Sequence, residues 1–121
     1  MTPEAFREMA LGLGAVQAKR VFETVRFRVD GKTLATLDWP SQGWVVLKLA
    51  AADQRRLLAL SPALMAEPSP RGKRGVTLVR LRAMTPDLMA QVLAAAWRQA
   101  YGKVGRREQS RRESATARLE A

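Results

Sequence analysis

VFETVRFRVDGKTLATLDW, residues 21–39, alternates apolar and polar side chains on both sides of an Asp30-Gly31 pair. A period of two marks a strand with one buried face. It puts Val25, Phe27 and Val29 on one side and Thr24, Arg26 and Arg28 on the other. Asp-Gly tolerates the positive φ angles of a two-residue hairpin turn, so residues 21–29 are predicted to form one strand that KTLATLDW pairs with antiparallel.

Working outward, Pro40-Ser41-Gln42-Gly43 is a second turn signal, and WVVLKLA (44–50) follows as a third strand. Residues 51–60 favour helix, with Leu57 and Leu58 facing inward and Arg55 and Arg56 facing water, although no side-chain cap stands at its start. The Pro-punctuated LSPALMAEPSP (60–70) has room only for a short edge strand near Leu64 to Glu67. A further strand is expected from about Gly75 to Arg82. At the N-terminus, Thr2-Pro3 reads as a cap followed by Pro at the first helical position, with Phe6, Met9, Ala10 and Leu13 on one face and Gly12 and Gly14 as the stop. Thr85-Pro86-Asp87 repeats that signature ahead of a helix whose stripe is Leu88, Val92, Leu93, Ala96 and Ala100. Beyond Gly102 the periodicity lapses into GRREQSRRESATARLEA, so residues 103–121 are expected to be a basic, frayed or disordered tail.

The expected architecture is α+β: one domain over residues 1–102, in the order α-β(3)-α-β(2)-α, with helices on one face of a single antiparallel sheet. If the helices take the side of Phe27, Val29, Val45, Leu47, Leu49, Val79 and Leu81, then Arg26, Arg28, Lys48, Arg80 and Arg82 emerge together on the uncovered side.

Composition narrows the function. The chain has 121 residues, 21 Lys and Arg against 11 Asp and Glu, no His and no Cys. It therefore lacks the usual neutral-pH base, the thiol nucleophile and the commonest soft or borderline metal ligands, which favours binding over catalysis. The eight carboxylates up to residue 102 sit mostly at helix starts or turns, and no pair suited to splitting its pKa values is evident. No enzyme activity, cofactor or metal is expected. No apolar run approaches a membrane span, and MTPEAFREMALGLG reads as a helix start and not a leader, so a soluble cytoplasmic protein is expected. A net charge of +10 attracts polyanions at long range. GC-rich codon usage also produces a chain with 16 Arg to 5 Lys, so clustering on one face, and not the total, carries the argument.

FRVDGKTLATL (27–37), GWVVLKL (43–49), RGVTLVRL (74–81) and LMAQVLAAAWRQA (88–100) resemble, in that order and with little need for gaps, the MmcQ/YjbR family of small bacterial proteins. The resemblance implies a CyaY/frataxin-like or secretion-chaperone-like fold and a DNA-binding role. The chain departs from the family pattern at Thr24-Val25-Arg26, where relatives often carry a His-Pro-Asp-like segment, at Ala50 in place of a Thr or Ser cap, and at Val76 in place of an aromatic.

RGKRGVTLVRLR (71–82) holds five cations and no acid. Its Arg71-Gly72-Lys73-Arg74-Gly75 portion resembles a phosphate-cradling nest, without matching a Walker A pattern. The nucleic-acid-binding set is Arg26, Arg28, Lys32, Lys48, Arg71, Lys73, Arg74, Arg80 and Arg82, neutralising phosphates without reading bases. Trp39 and Trp44 flank the turn at Pro40, where they either close the hairpin end or stack on unpaired bases. Trp97 and Tyr101, at i and i+4, read as packing. Tail cations Arg106, Arg107, Arg111 and Arg112 either add affinity or form an inert extension. Duplex DNA bound nonspecifically is the expected partner, and a protein-interaction or chaperone-like module is the alternative.

Overall fold

The computed structural model describes residues 1–102, so the expected tail at 103–121 lies outside the described residues. The fold is α+β, with a six-stranded antiparallel sheet and helices packed against it. Its elements are α1 (Pro3–Leu11), β1 (Val16–Val21), β2 (Thr24–Val29), β3 (Lys32–Leu37), β4 (Trp44–Lys48), α2 (Ala51–Leu58), β5 (Leu64–Ala66), α3 (Pro70–Lys73) and β6 (Val76–Arg80). A 3-10 turn, Leu81–Ala83, then leads into α4, which covers residues 86–102. The strand order is β1-β2-β3-β4-β6-β5. Among the described residues no helix is long and apolar enough to cross a membrane.

The strand count corrects the expected five to six. Residues 21–29 do not run as one strand, because the chain reverses at Phe22-Glu23 and Val21 pairs with Thr24. The turn contains none of Gly, Asn or Asp: Phe22 itself takes φ 55°, and the Thr24 hydroxyl donates to the Val21 carbonyl at 2.7 Å. Strand β1 therefore lies along β2, with Val16 opposite Val29 and Ala18 opposite Phe27.

The expected caps form. The Ala5 amide donates to the Thr2 hydroxyl at 3.1 Å, and the Leu88 amide to the Thr85 hydroxyl at 3.3 Å. Helix α2 starts at Ala50 without a side-chain cap, and β5 is a three-residue edge strand. The core gathers Phe6 and Ala10 of α1, Phe27, Val29, Ala35, Val45, Leu47 and Val79 of the sheet, Leu57 of α2, and Met89, Val92, Leu93 and Ala96 of α4. Phe6 meets Phe27 edge-on at 5.4 Å, a favoured aromatic geometry. Trp97 donates its indole N–H to the Gly14 carbonyl at 3.2 Å, tying α4 to the α1–β1 connection, and Tyr101 stacks on it at 4.5 Å.

Candidate nucleic-acid interface

Pairing registers fix which side chains share the face opposite this core. Lys19 stands opposite Arg26, Arg26 opposite Thr36, Thr36 opposite Val46, Val46 opposite Leu78, and Leu78 opposite Met65. One row of side chains thus crosses all six strands, basic at the β1 edge and apolar at the β5 edge. The face is not uniformly basic: Leu78 lies on it yet is only 6% exposed, flanked by Val46 and Met65.

Lys19 and Arg26 face each other directly, an arrangement that opposes strand pairing. Both are exposed and neither makes an ion pair among the described residues. Arg26 also lines a cleft of about 230 Å³ with Thr24, Thr36, Trp39, Val46 and Arg71. Arg71 comes from α3. It stands 3.9 Å from a Glu67 carboxylate oxygen, while the other oxygen of Glu67 accepts from the Ser69 hydroxyl at 2.6 Å.

At the Trp44 end of β4 a second cleft, about 470 Å³, is lined by Gln42, Gly43, Trp44, Arg80, Arg82 and Ala83. Trp44 pairs with Arg80 across the strands, and the guanidinium lies 5.1 Å from the centre of the Trp44 ring. That cation–π contact holds the charge against the sheet at a worth of about 0.5–1 kcal/mol. Strand β6 ends at Arg80: the Leu81 amide still donates to the Gly43 carbonyl, but the Leu81 carbonyl accepts from the Met84 amide at 3.0 Å, closing the 3-10 turn, and from the N-terminal ammonium at 2.9 Å. Arg82 therefore joins Arg80 through the 3-10 turn and not by strand alternation.

The remaining members of the predicted set are dispersed. Arg28 is half-buried and donates to the Gly31 carbonyl at 2.7 Å, closing its own hairpin turn. Lys32 and Lys48 line a small cleft of about 70 Å³ beside Ala96 and Gln99 of α4, at the opposite end of β4 from Trp44. Lys73 and Arg74 are exposed on the β5–β6 connection. The expected nest of backbone amides is not formed. Gly72, Arg74 and Gly75 each donate their amide within the segment, to Ser69, Arg71 and Gly72, so the loop presents side chains instead.

What fixes this loop is Gln54, buried on α2. Its amide nitrogen lies 3.0 Å from the Gly72 carbonyl, 3.3 Å from the Val76 carbonyl and 3.1 Å from the Thr77 hydroxyl, so two hydrogens are shared among three acceptors. Gln54→Ala removes all three of these hydrogen bonds, leaving the Gly72 and Val76 carbonyls only the Gly75 and Glu67 amides as donors and the Thr77 hydroxyl only its bond to the Gly75 carbonyl. Urea unfolding should show a loss of about 1–3 kcal/mol, with the loop bearing Arg71 as the first segment to lose amide-exchange protection.

Sequence reasoning missed Lys19, because the strand that carries it was not recognised. The available signal was the alternation of Val16 and Ala18 with Gln17 and Lys19. Comparison of the chain with protein-family models, curated proteins and solved structures returns no match.

Proposed function

We propose that this protein binds nucleic acid, DNA in the first instance, through phosphate contacts on the open sheet face and without reading base sequence. The observation that carries the reading is the Lys19–Arg26 pair: two cations directly opposite, of which Arg26 also shares a cleft with Arg71, cost the sheet stability that a polyanion would return. Arg80 and Arg82 extend the positive surface at the Trp44 end. The resemblance to the MmcQ/YjbR family points the same way. Among the described residues no helix presents the Asn, Gln and Arg cluster of a major-groove reader, so the reading invokes no direct base readout.

Salt dependence tests this. If Lys19, Arg26, Arg71, Arg80 and Arg82 each neutralise one phosphate, log Kd rises with log salt at a slope of about 4.5, which weakens binding roughly 500-fold between about 50 and 200 mM salt. Fluorescence anisotropy on labelled DNA measures it. A protein partner docked on the apolar end of the row, at Met65 and Leu78, would give an affinity nearly flat in salt, and that outcome would replace the nucleic-acid reading with the interaction-module alternative.

A further inference from the structure

Two large aromatic side chains lie on the solvent side of this molecule with no core role. Phe22 is 94% exposed at the tip of the β1–β2 hairpin, and its φ of 55° is one that a bulky residue rarely adopts. Trp39 is 38% exposed and forms one wall of the cleft shared by Arg26 and Arg71. A larger concavity, about 920 Å³, shares Thr24 and Trp39 with that cleft and runs on to Arg20 and Phe22. The two concavities are therefore one track, with Trp39 at its middle, Phe22 at one end and the two guanidinium groups at the other.

We infer that this track takes an unpaired, single-stranded segment of nucleic acid, one base stacked on Trp39 and a neighbouring base on Phe22, with the backbone phosphates on the Arg26–Arg71 side. The inference rests on the nucleic-acid reading above and sharpens it. Stacking on flat rings is open to bases splayed out of a strand and closed to bases held inside a duplex. The charges set the direction of the backbone. No acid lines the Arg26–Arg71 cleft, whereas the other concavity sets Glu23 and Asp38 against the single cation Arg20, a net negative lining that disfavours phosphate there. Asp38 is already engaged, accepting from the Gly43 amide at 2.9 Å. In the basic cleft the Thr36 hydroxyl supplies a donor and an acceptor, and the Thr24 hydroxyl, whose hydrogen is engaged by Val21, an acceptor; neither discriminates among bases.

The test uses the full chain with a labelled short oligothymidine and a duplex of equal length, at one fixed salt concentration. The single strand should bind about tenfold more tightly than the duplex. Phe22→Gly removes the ring and suits the positive φ, so the fold is retained; single-strand affinity should fall several-fold while duplex affinity stays unchanged. Trp39→Leu should cost the single strand at least as much, with thermal unfolding recorded alongside. Equal or tighter duplex binding, or a Phe22→Gly protein that holds the single strand as well as the parent, overturns the inference while leaving phosphate binding intact. Loss on Phe22→Gly confined to anionic phospholipid vesicles would overturn it in favour of a membrane surface. Absence of binding to either nucleic acid at low salt removes the underlying reading as well.

Discussion

Gly75→Ala should destabilise the protein by at least about 3 kcal/mol, a large part of the roughly 5–15 kcal/mol that holds an ordinary domain together. A Cβ on Gly75 would lie 1.9 Å from the Leu49 carbonyl oxygen, and the residue takes φ 105°. The Leu49 amide donates to the Gly75 carbonyl at 2.9 Å, so the clash pries apart the backbone pairing just beyond the junction of β4 and β6. Gly31→Ala is the matched control, because Gly31 also has a positive φ, 80°, but nothing lies within 4 Å of an added Cβ. That substitution should cost only the backbone term, about 1–2 kcal/mol. Urea midpoints followed by tryptophan fluorescence separate the two contributions, and equal losses for both variants would show that contact with Leu49 is not the cause.

Reversing four charges together, Arg26→Glu, Arg71→Glu, Arg80→Glu and Arg82→Glu, should abolish measurable DNA binding at about 0.1 M salt, where nonspecific affinities lie near 10⁻⁴–10⁻⁶ M to begin with. The formal net charge falls from +10 by eight units, to +2. All four residues are exposed, so unfolding midpoints should fall only modestly: Arg71→Glu sets a second carboxylate beside Glu67 and Arg80→Glu loses the contact with Trp44, while Arg26→Glu gains an attraction to Lys19 across the hairpin. Truncation after Gly102 runs beside it. Binding that survives the four reversals and disappears on truncation would relocate the interface to the tail, and with it the proposed function of the sheet face.

Much of this fold was legible because its strongest signals are local and chemical. Asp30-Gly31 turns β2 into β3, and Thr2 and Thr85 cap their helices by the side-chain hydrogen bonds their positions imply. The proline-rich stretch around Leu64 yields only a short edge strand. The features that escaped are set by tertiary context. Phe22-Glu23 carries no turn signature, and its reversal is held by a Thr24 hydroxyl and by the pairing of β1 with β2. Nothing in Leu81-Arg82-Ala83 announces the end of a strand; the Leu81 carbonyl is taken by the Met84 amide in a 3-10 turn and by the N-terminal ammonium, which is distant in sequence.

The interface divided in the same way. Alternation alone correctly put Arg26 and Arg80 on the face away from the core. It put Lys48 there too, opposite Val76, though at the end of β4 that shares a small cleft with α4, and it was blind to a guanidinium folding back on its own turn, as Arg28 does. It also passed over the apolar half of the row, because Val46, Leu78 and Met65 come together on that face only through strand pairing.

The two margins of the sheet differ in a way that bears on how the protein behaves when concentrated. β5 offers only three residues between Pro62 and Pro68, too short a template for a foreign chain to zip onto. β1 is six residues long, and its guard is electrical: Lys19 and Arg20 project to opposite sides of the ribbon, so a second copy approaching this margin meets like charge above and below. Shielding those two ammonium and guanidinium groups with a multivalent anion would therefore lower the barrier to end-on ribbon addition, and crowding on a long anionic polymer would bring copies together at the margin least able to refuse them.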